Sequence, residues 1–204
     1  MTIPRTVLVV FGLLLLSVLC FGPSPIAAPA HLPGWTLPQE PQEQESLAPY
    51  VPTPQEVVDK MLELAEVTSK DVVYDLGCGD GRIVVTAAKK YGARGVGVDI
   101  DPDRVHECEA NAKQAGVEKL VTCKLQDART VDVSPATVVT LYLLSSSNLT
   151  LRPMLTKQLK PGARIVSHAF SMGDWDPLKT EEIKDNSGYT RTLYLWKADG
   201  KVRP

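Results

Sequence analysis

The chain has 204 residues, with 22 Lys and Arg against 24 Asp and Glu, a formal net charge of −2, and 44% hydrophobic residues. That is length for one domain with extra segments, at the composition of an ordinary globular protein. No block of Lys or Arg is present, which argues against a nucleic-acid partner held by bulk electrostatics, and none is expected.

Residues 1–30 differ from the rest. Arg5 is the only charge before His31, Val7 to Gly22 is almost wholly apolar, and Ala28-Pro29-Ala30 offers a small-residue cleavage pattern. This reads as a secretory signal peptide or signal anchor. The apolar run is slightly shorter than the ~20 residues that span a bilayer. Export, or membrane association through residues 7–22, is therefore expected, with a cytoplasmic chain from a misassigned start as the alternative. Cys20 lies in this leader, leaving Cys78, Cys108 and Cys123. Their number is odd and their spacings fit no metal motif, so neither a metal site nor a dependence on disulfides is expected.

Residues 31–49 are rich in Pro, Gln and Glu without periodicity and read as a flexible linker. The folded domain is expected over 50–204. Thr53-Pro54-Gln55-Glu56 predicts a helix start, with Thr53 as cap, Pro54 in the first turn and Glu56 closing a capping box. Val57, Val58, Met61, Leu62 and Ala65 follow at helical spacing. Strands are expected at 71–76, 95–100, 120–126, 136–144 and 163–170, and helices at 82–91 and 101–115. Asn148 is expected to cap a further helix ending at Lys160-Pro161-Gly162. Arg191 to Lys197 alternates as a late strand, with 179–184 as its partner. This alternation predicts an α/β three-layer sandwich on a mostly parallel, Rossmann-like seven-stranded sheet, with an antiparallel last strand. Such sheets bind ligands at the carboxyl ends of their strands.

Three motifs fall at such ends. In Asp75-Leu76-Gly77-Cys78-Gly79-Asp80-Gly81, the glycines let a strand turn tightly into a helix beside a ligand. A dinucleotide site wants its third glycine one residue later, where Arg82 stands. Asp99, followed by Ile100, ends the second strand and can accept bonds from two ribose hydroxyls. Asp127 and Ala128 follow the third strand.

The pattern D-x-G-x-G-x-G resembles the first motif of class I methyltransferases, which implies S-adenosyl-L-methionine as cofactor. In that resemblance Asp75, Gly77, Gly79 and Gly81 hold its methionine part, Asp99 the ribose and Asp127 the adenine, with Ile100 and Ala128 as further cofactor-binding residues. Tyr50-Val-Pro-Thr-Pro54, Thr140-Leu-Tyr-Leu-Leu144, Leu159-Lys-Pro-Gly162 and Arg164-Ile-Val-Ser-His168 narrow it. Over about 50–175 the chain is similar to small prokaryotic relatives of the non-SET protein lysine methyltransferases. That family includes mitochondrial enzymes that methylate a component of ATP synthase and a nucleotide translocase. The resemblance implies methylation of a lysine on a protein substrate, by displacement at the sulfonium methyl with an uncharged amine. Tyr142, His168 and Phe170 are the implied catalytic channel residues, Trp175 could line its entrance, and Tyr50 and Thr53 could close over the cofactor. Relatives tend to carry Pro where Ser145 stands and an acid where Ala169 stands, which bears on the acceptor rather than the cofactor. The Asn/Asp-Pro-Pro-Tyr segment of amide and adenine N-methyltransferases is absent. A small-molecule methyltransferase and an inactive, membrane-anchored cofactor-binding module remain the alternatives. A monomer is expected.

Overall fold

The computed structural model describes residues 46–204. The leader at 1–30 and residues 31–45 of the expected linker lie outside the described residues. In chain order the elements are α1 (Gln55–Leu64), β1 (Val72–Leu76), α2 (Arg82–Tyr91), β2 (Arg94–Asp99), α3 (Pro102–Gln114), β3 (Val121–Leu125), β4 (Val138–Leu141), α4 (Ser145–Gln158), β5 (Arg164–His168), β6 (Lys179–Lys184) and β7 (Thr190–Lys197).

The strands form one seven-stranded sheet in the order β3-β2-β1-β4-β5-β7-β6. β1 lies parallel to both β2 and β4, while β5 and β6 both run antiparallel to β7. Only β7 therefore opposes the rest, as the sequence implies. The chain winds outward from β1 through β2 to β3, then returns to lay β4 on the other side of β1. A crevice opens at that reversal, above the carboxyl ends of β1 and β4.

The central strands are buried on both faces, so they read as apolar runs rather than alternations. Val73, Val138 and Val166 point to one face, where Val57, Val58, Met61 and Leu62 of α1 cover them. Tyr74, Leu76, Val139, Leu141 and Ile165 point to the other, against Leu151 and Leu155 of α4. Met61 and Leu62 are fully buried, and each contributes roughly 1.5–3 kcal/mol through burial. A third cluster, with Val84, Ala88, Cys108 and Ala112, packs α2 and α3 beside Val121 of β3.

Three expectations are corrected. Pro54, not Thr53, holds the N-cap of α1, with no side-chain capping bond. Glu56 instead accepts a bond from the Asn186 N–H at 2.7 Å, so the capping box does not close. Asn148 is not a cap: it lies inside α4, fully buried, and its side-chain amide donates to Ser167 Oγ and to the carbonyls of Phe170 and Ser171. The fold also contains a disulfide, Cys108–Cys123, joining α3 to β3 with 6.2 Å between Cα atoms. The βαβ winding lays α3 back along β3, bringing together cysteines whose spacing alone gave no sign of pairing.

Candidate active site

A cavity of about 380 Å³ occupies the crevice, within the roughly 300–1,000 Å³ usual for ligand sites. Its floor is the turn from β1 into α2. Gly77, Gly79 and Gly81 have φ of +78°, +53° and +74°, the left-handed region that glycine enters without steric cost. Space is as demanding as angle: a Cβ on Gly79 would collide with the Tyr50 ring, and one on Gly81 with Cys108. The Gly77 and Cys78 N–H groups both bond the Val98 carbonyl, anchoring the turn to β2.

Asp75, next to last in β1, is almost fully buried and accepts a 2.7 Å bond from the Thr140 hydroxyl. Burial pushes its carboxyl up to about 7, and the nearby carboxylates of Asp99 and Asp80 add to this. Asp99 accepts from Gly79 N–H at 2.8 Å with one oxygen and from Asp101 N–H at 3.0 Å with the other. A carboxylate offers about four acceptor sites, so each oxygen keeps room for a ribose hydroxyl. Ile100 and Ala128 line the cavity beside it.

The other two acids carry their own cations. Arg82 binds both oxygens of Asp80, and Arg129 both oxygens of Asp127, at 2.7–3.2 Å. Burial opposes ionisation of Asp80, but the Arg82 bonds hold its carboxyl below the usual range. Bonds from Arg129 do the same for Asp127. Asp127 thus lines the cavity with its orientation set by Arg129.

Residues 46–53 roof the cavity. Arg82 donates to the Thr53 carbonyl at 2.8 Å, Ser147 Oγ donates to the Leu47 carbonyl, and the Arg104 guanidinium sits 4.5 Å from the centre of the Tyr50 ring. Tyr50 and Thr53 therefore both line the site, Thr53 through its backbone and position rather than as a helix cap. Sequence reasoning missed Arg82 and Arg104 as roof supports and assigned 46–49 to the linker. Arg82 stands directly after the glycine loop, a hint that was available; Arg104 gave none.

The expected channel residues divide. Tyr142 lines the cavity, just past the end of β4, and His168 and Phe170 do not. His168 stacks behind Tyr142 with 4.0 Å between ring centres, and Phe170 lies 6.3 Å from it. His168 is fully buried, and among the described residues neither ring nitrogen has a hydrogen-bond partner. Burial pushes its pKa down to about 4; the Arg191 charge lowers it further and Asp185 opposes that. The ring is neutral at pH 7. Trp175 does not line the cavity: its carbonyl accepts from Trp196, and Arg203 covers its ring. Among the described residues no cluster of His, Cys, Asp or Glu could hold a metal ion.

The donor set fits S-adenosylmethionine. Asp75 and Asp99 face the cavity without a cationic partner among the described residues. A ligand carrying both an ammonium and a sulfonium supplies the missing charge, and an ammonium beside Asp75 draws that carboxyl back to its ionised form. A pyrophosphate would meet the same carboxylates as repulsion.

Comparison with known proteins agrees. The family described as the ANTKMT methyltransferase domain matches residues 75–179. A protein-lysine N-methyltransferase of Saccharolobus islandicus is 46% identical over 149 residues, covering 72% of this chain and 92% of that protein. A human lysine N-methyltransferase of ATP synthase is 29% identical over 129 residues, 63% of this chain and 54% of that one. A crystal structure described as an RNA methyltransferase from Salinibacter ruber, in complex with S-adenosyl-L-homocysteine, is 54% identical. It superposes with a TM-score of 0.70, over 75% of this chain and 97% of that one. The chain belongs to the ANTKMT methyltransferase domain family and is a class I methyltransferase dependent on S-adenosylmethionine.

Proposed function

We propose that the methyl acceptor is a lysine side chain of a protein substrate. The observation that carries this is the aromatic wall at the cavity, Tyr142 stacked on the neutral His168. A lysine amine has an ordinary pKa near ~10.4 and must lose its proton before it can attack. An aromatic wall favours the uncharged amine by desolvation. Tyr142 excludes water and orients the amine; His168 holds Tyr142 from behind and, being buried, acts on the substrate only through it. When bound, the cofactor supplies the electrophilic methyl group. In-line alignment by the wall then contributes much of the rate. The similarity to two relatives named as lysine methyltransferases supports the same reading.

An RNA acceptor is the second reading, favoured by the description of the Salinibacter ruber relative. Against it, Arg82 at the cavity is bound to Asp80, Arg129 is bound to the cavity residue Asp127, and Leu141-Tyr142-Leu143-Leu144 replaces the segment that grips planar amides.

Both readings meet one experiment. The full chain is incubated with methyl-labelled S-adenosylmethionine and, separately, with a protein extract and total RNA. Label recovered on lysine by mass spectrometry is the expected result. Label confined to nucleotides establishes the second reading, and label found only in small metabolites overturns both.

A further inference from the structure

Three cysteines meet beneath the glycine loop. Cys108 on α3 is bonded to Cys123 on β3, and Cys78, within the loop, is buried and unpaired. Gly97 in β2 marks where they converge: a Cβ built there would lie 2.8 Å from the Cys78 sulfur and 3.4 Å from that of Cys108. Cys108 also packs directly on Gly81. Burial raises the pKa of the Cys78 thiol, and the Asp75 and Asp99 carboxylates raise it further. It stays a thiol and a poor nucleophile, which keeps the bond on Cys108 and Cys123.

The bonded residues belong to two neighbouring elements that each lead into the cavity wall. α3 carries Arg104, which holds Tyr50 over the site, with Asp101 as its cap. β3 runs on into Asp127 and Ala128, which also line the cavity. A covalent link fixes the distance between these elements before any ligand arrives. A site preformed in this way binds more tightly than one that must be ordered on binding.

We propose that the Cys108–Cys123 disulfide is a redox-controlled brace of the cofactor site, raising affinity for S-adenosylmethionine when oxidised and lowering it when reduced. The inference concerns cofactor binding and stands whatever accepts the methyl group. A dithiol reverses the brace. One of its thiolates attacks the sulfur of Cys123, the half-buried partner, and displaces Cys108 as a thiolate that takes up a proton. Its second thiol resolves the mixed disulfide, so the reductant leaves oxidised and both cysteines are thiols. Such a bond persists in an oxidising compartment, in keeping with the composition of residues 1–30.

The test is calorimetric titration of the full chain with S-adenosylmethionine, at a temperature well below unfolding. The oxidised protein, the same protein reduced with dithiothreitol, and the reoxidised protein are compared. Kd is expected to rise about tenfold on reduction and to recover on reoxidation, the scale of a lost preorganisation term of ~1.4 kcal/mol. Cys123→Ser is expected to bind like the reduced protein in every condition. Alkylation of the oxidised, unfolded chain should mark Cys20 and Cys78 and spare Cys108 and Cys123. Equal Kd in both redox states, even with a lower Tm on reduction, overturns the proposal. Alkylation of Cys108 and Cys123 in the oxidised protein overturns it as well.

Discussion

The two sides of the cavity are held together differently. On the cofactor side the contacts are hydrogen bonds to carboxylates, most of them from a residue two positions away: Asp101 N–H on Asp99, Arg82 on Asp80 and Arg129 on Asp127, with Gly79 N–H reaching Asp99 across 20 positions. On the acceptor side every contact joins residues far apart in the chain: the Tyr142 ring on His168, and the Asn148 amide bracing the Ser167 hydroxyl and the Phe170 carbonyl. A fixed ligand can be served by a fixed backbone turn. An acceptor wall made of packed side chains is easier to vary without disturbing the cofactor. Both departures from the related sequences fall on that second side. Ser145 opens α4, a position where proline would serve equally as a helix starter. Ala169 sits at φ +66° in the turn after β5.

If this contrast holds, substitutions on the two sides have separable effects. The largest is expected for Asp99→Ala. It removes the acceptor for two loop N–H groups and for the ribose, each charged bond contributing roughly 1.5–3 kcal/mol. Kd for S-adenosylmethionine should rise at least about 100-fold by calorimetry with the circular dichroism unchanged; an unaltered affinity removes Asp99 from the site.

Next is the pH dependence of His168. Its folded pKa of about 4 lies below the ordinary 6.5, so between those values the unfolded chain holds a proton that the folded chain refuses. The stability this residue contributes is complete above about pH 6.5 and is lost as pH falls toward 4, by up to roughly 3 kcal/mol. Asp75, raised to about 7, titrates with the opposite sign, so the effect is read as a difference. Urea unfolding between pH 7 and 4.5 should show a smaller loss for His168→Gln than for the wild type. Equal slopes would mean the ring is already solvated and the acceptor wall is not dry.

The smallest effect is at Ala169, exposed and in the left-handed region. Ala169→Gly should stabilise the fold by about 0.5–1 kcal/mol, from relief of the Cβ clash less the entropy of glycine. Methyl transfer should not change; a large change in kcat would place this turn in the acceptor site.

The same contrast explains what the sequence made legible. α2, α3 and the strands around them are found within a residue or two of their expected positions, because local signals decide them: the glycine turn, and Asp101 capping a helix that opens with Pro102. Thr53 misled because the helix opens one residue later, behind Pro54, while the Thr53 carbonyl goes to Arg82, a partner 29 positions away. Asn148 has the chemistry of a cap, yet its amide is used up across the gap to β5. Nor does any local rule separate Tyr142, at the cavity, from His168 behind it. Asp75, Asp99 and Asp127 were legible as residues; the cations that orient Asp80 and Asp127 and hold the roof were not.

The roof has a practical consequence for anyone shortening this protein. A chain starting at Tyr50 keeps every helix and strand of the described residues, and by the usual criteria would be a complete domain. It would nonetheless lack Ser46 to Pro49, which line the cavity, and the Leu47 carbonyl that Ser147 holds. The edge of the folded body and the edge of the working site are different places in this chain, and a truncation judged by thermal stability alone would not reveal which of the two it had crossed.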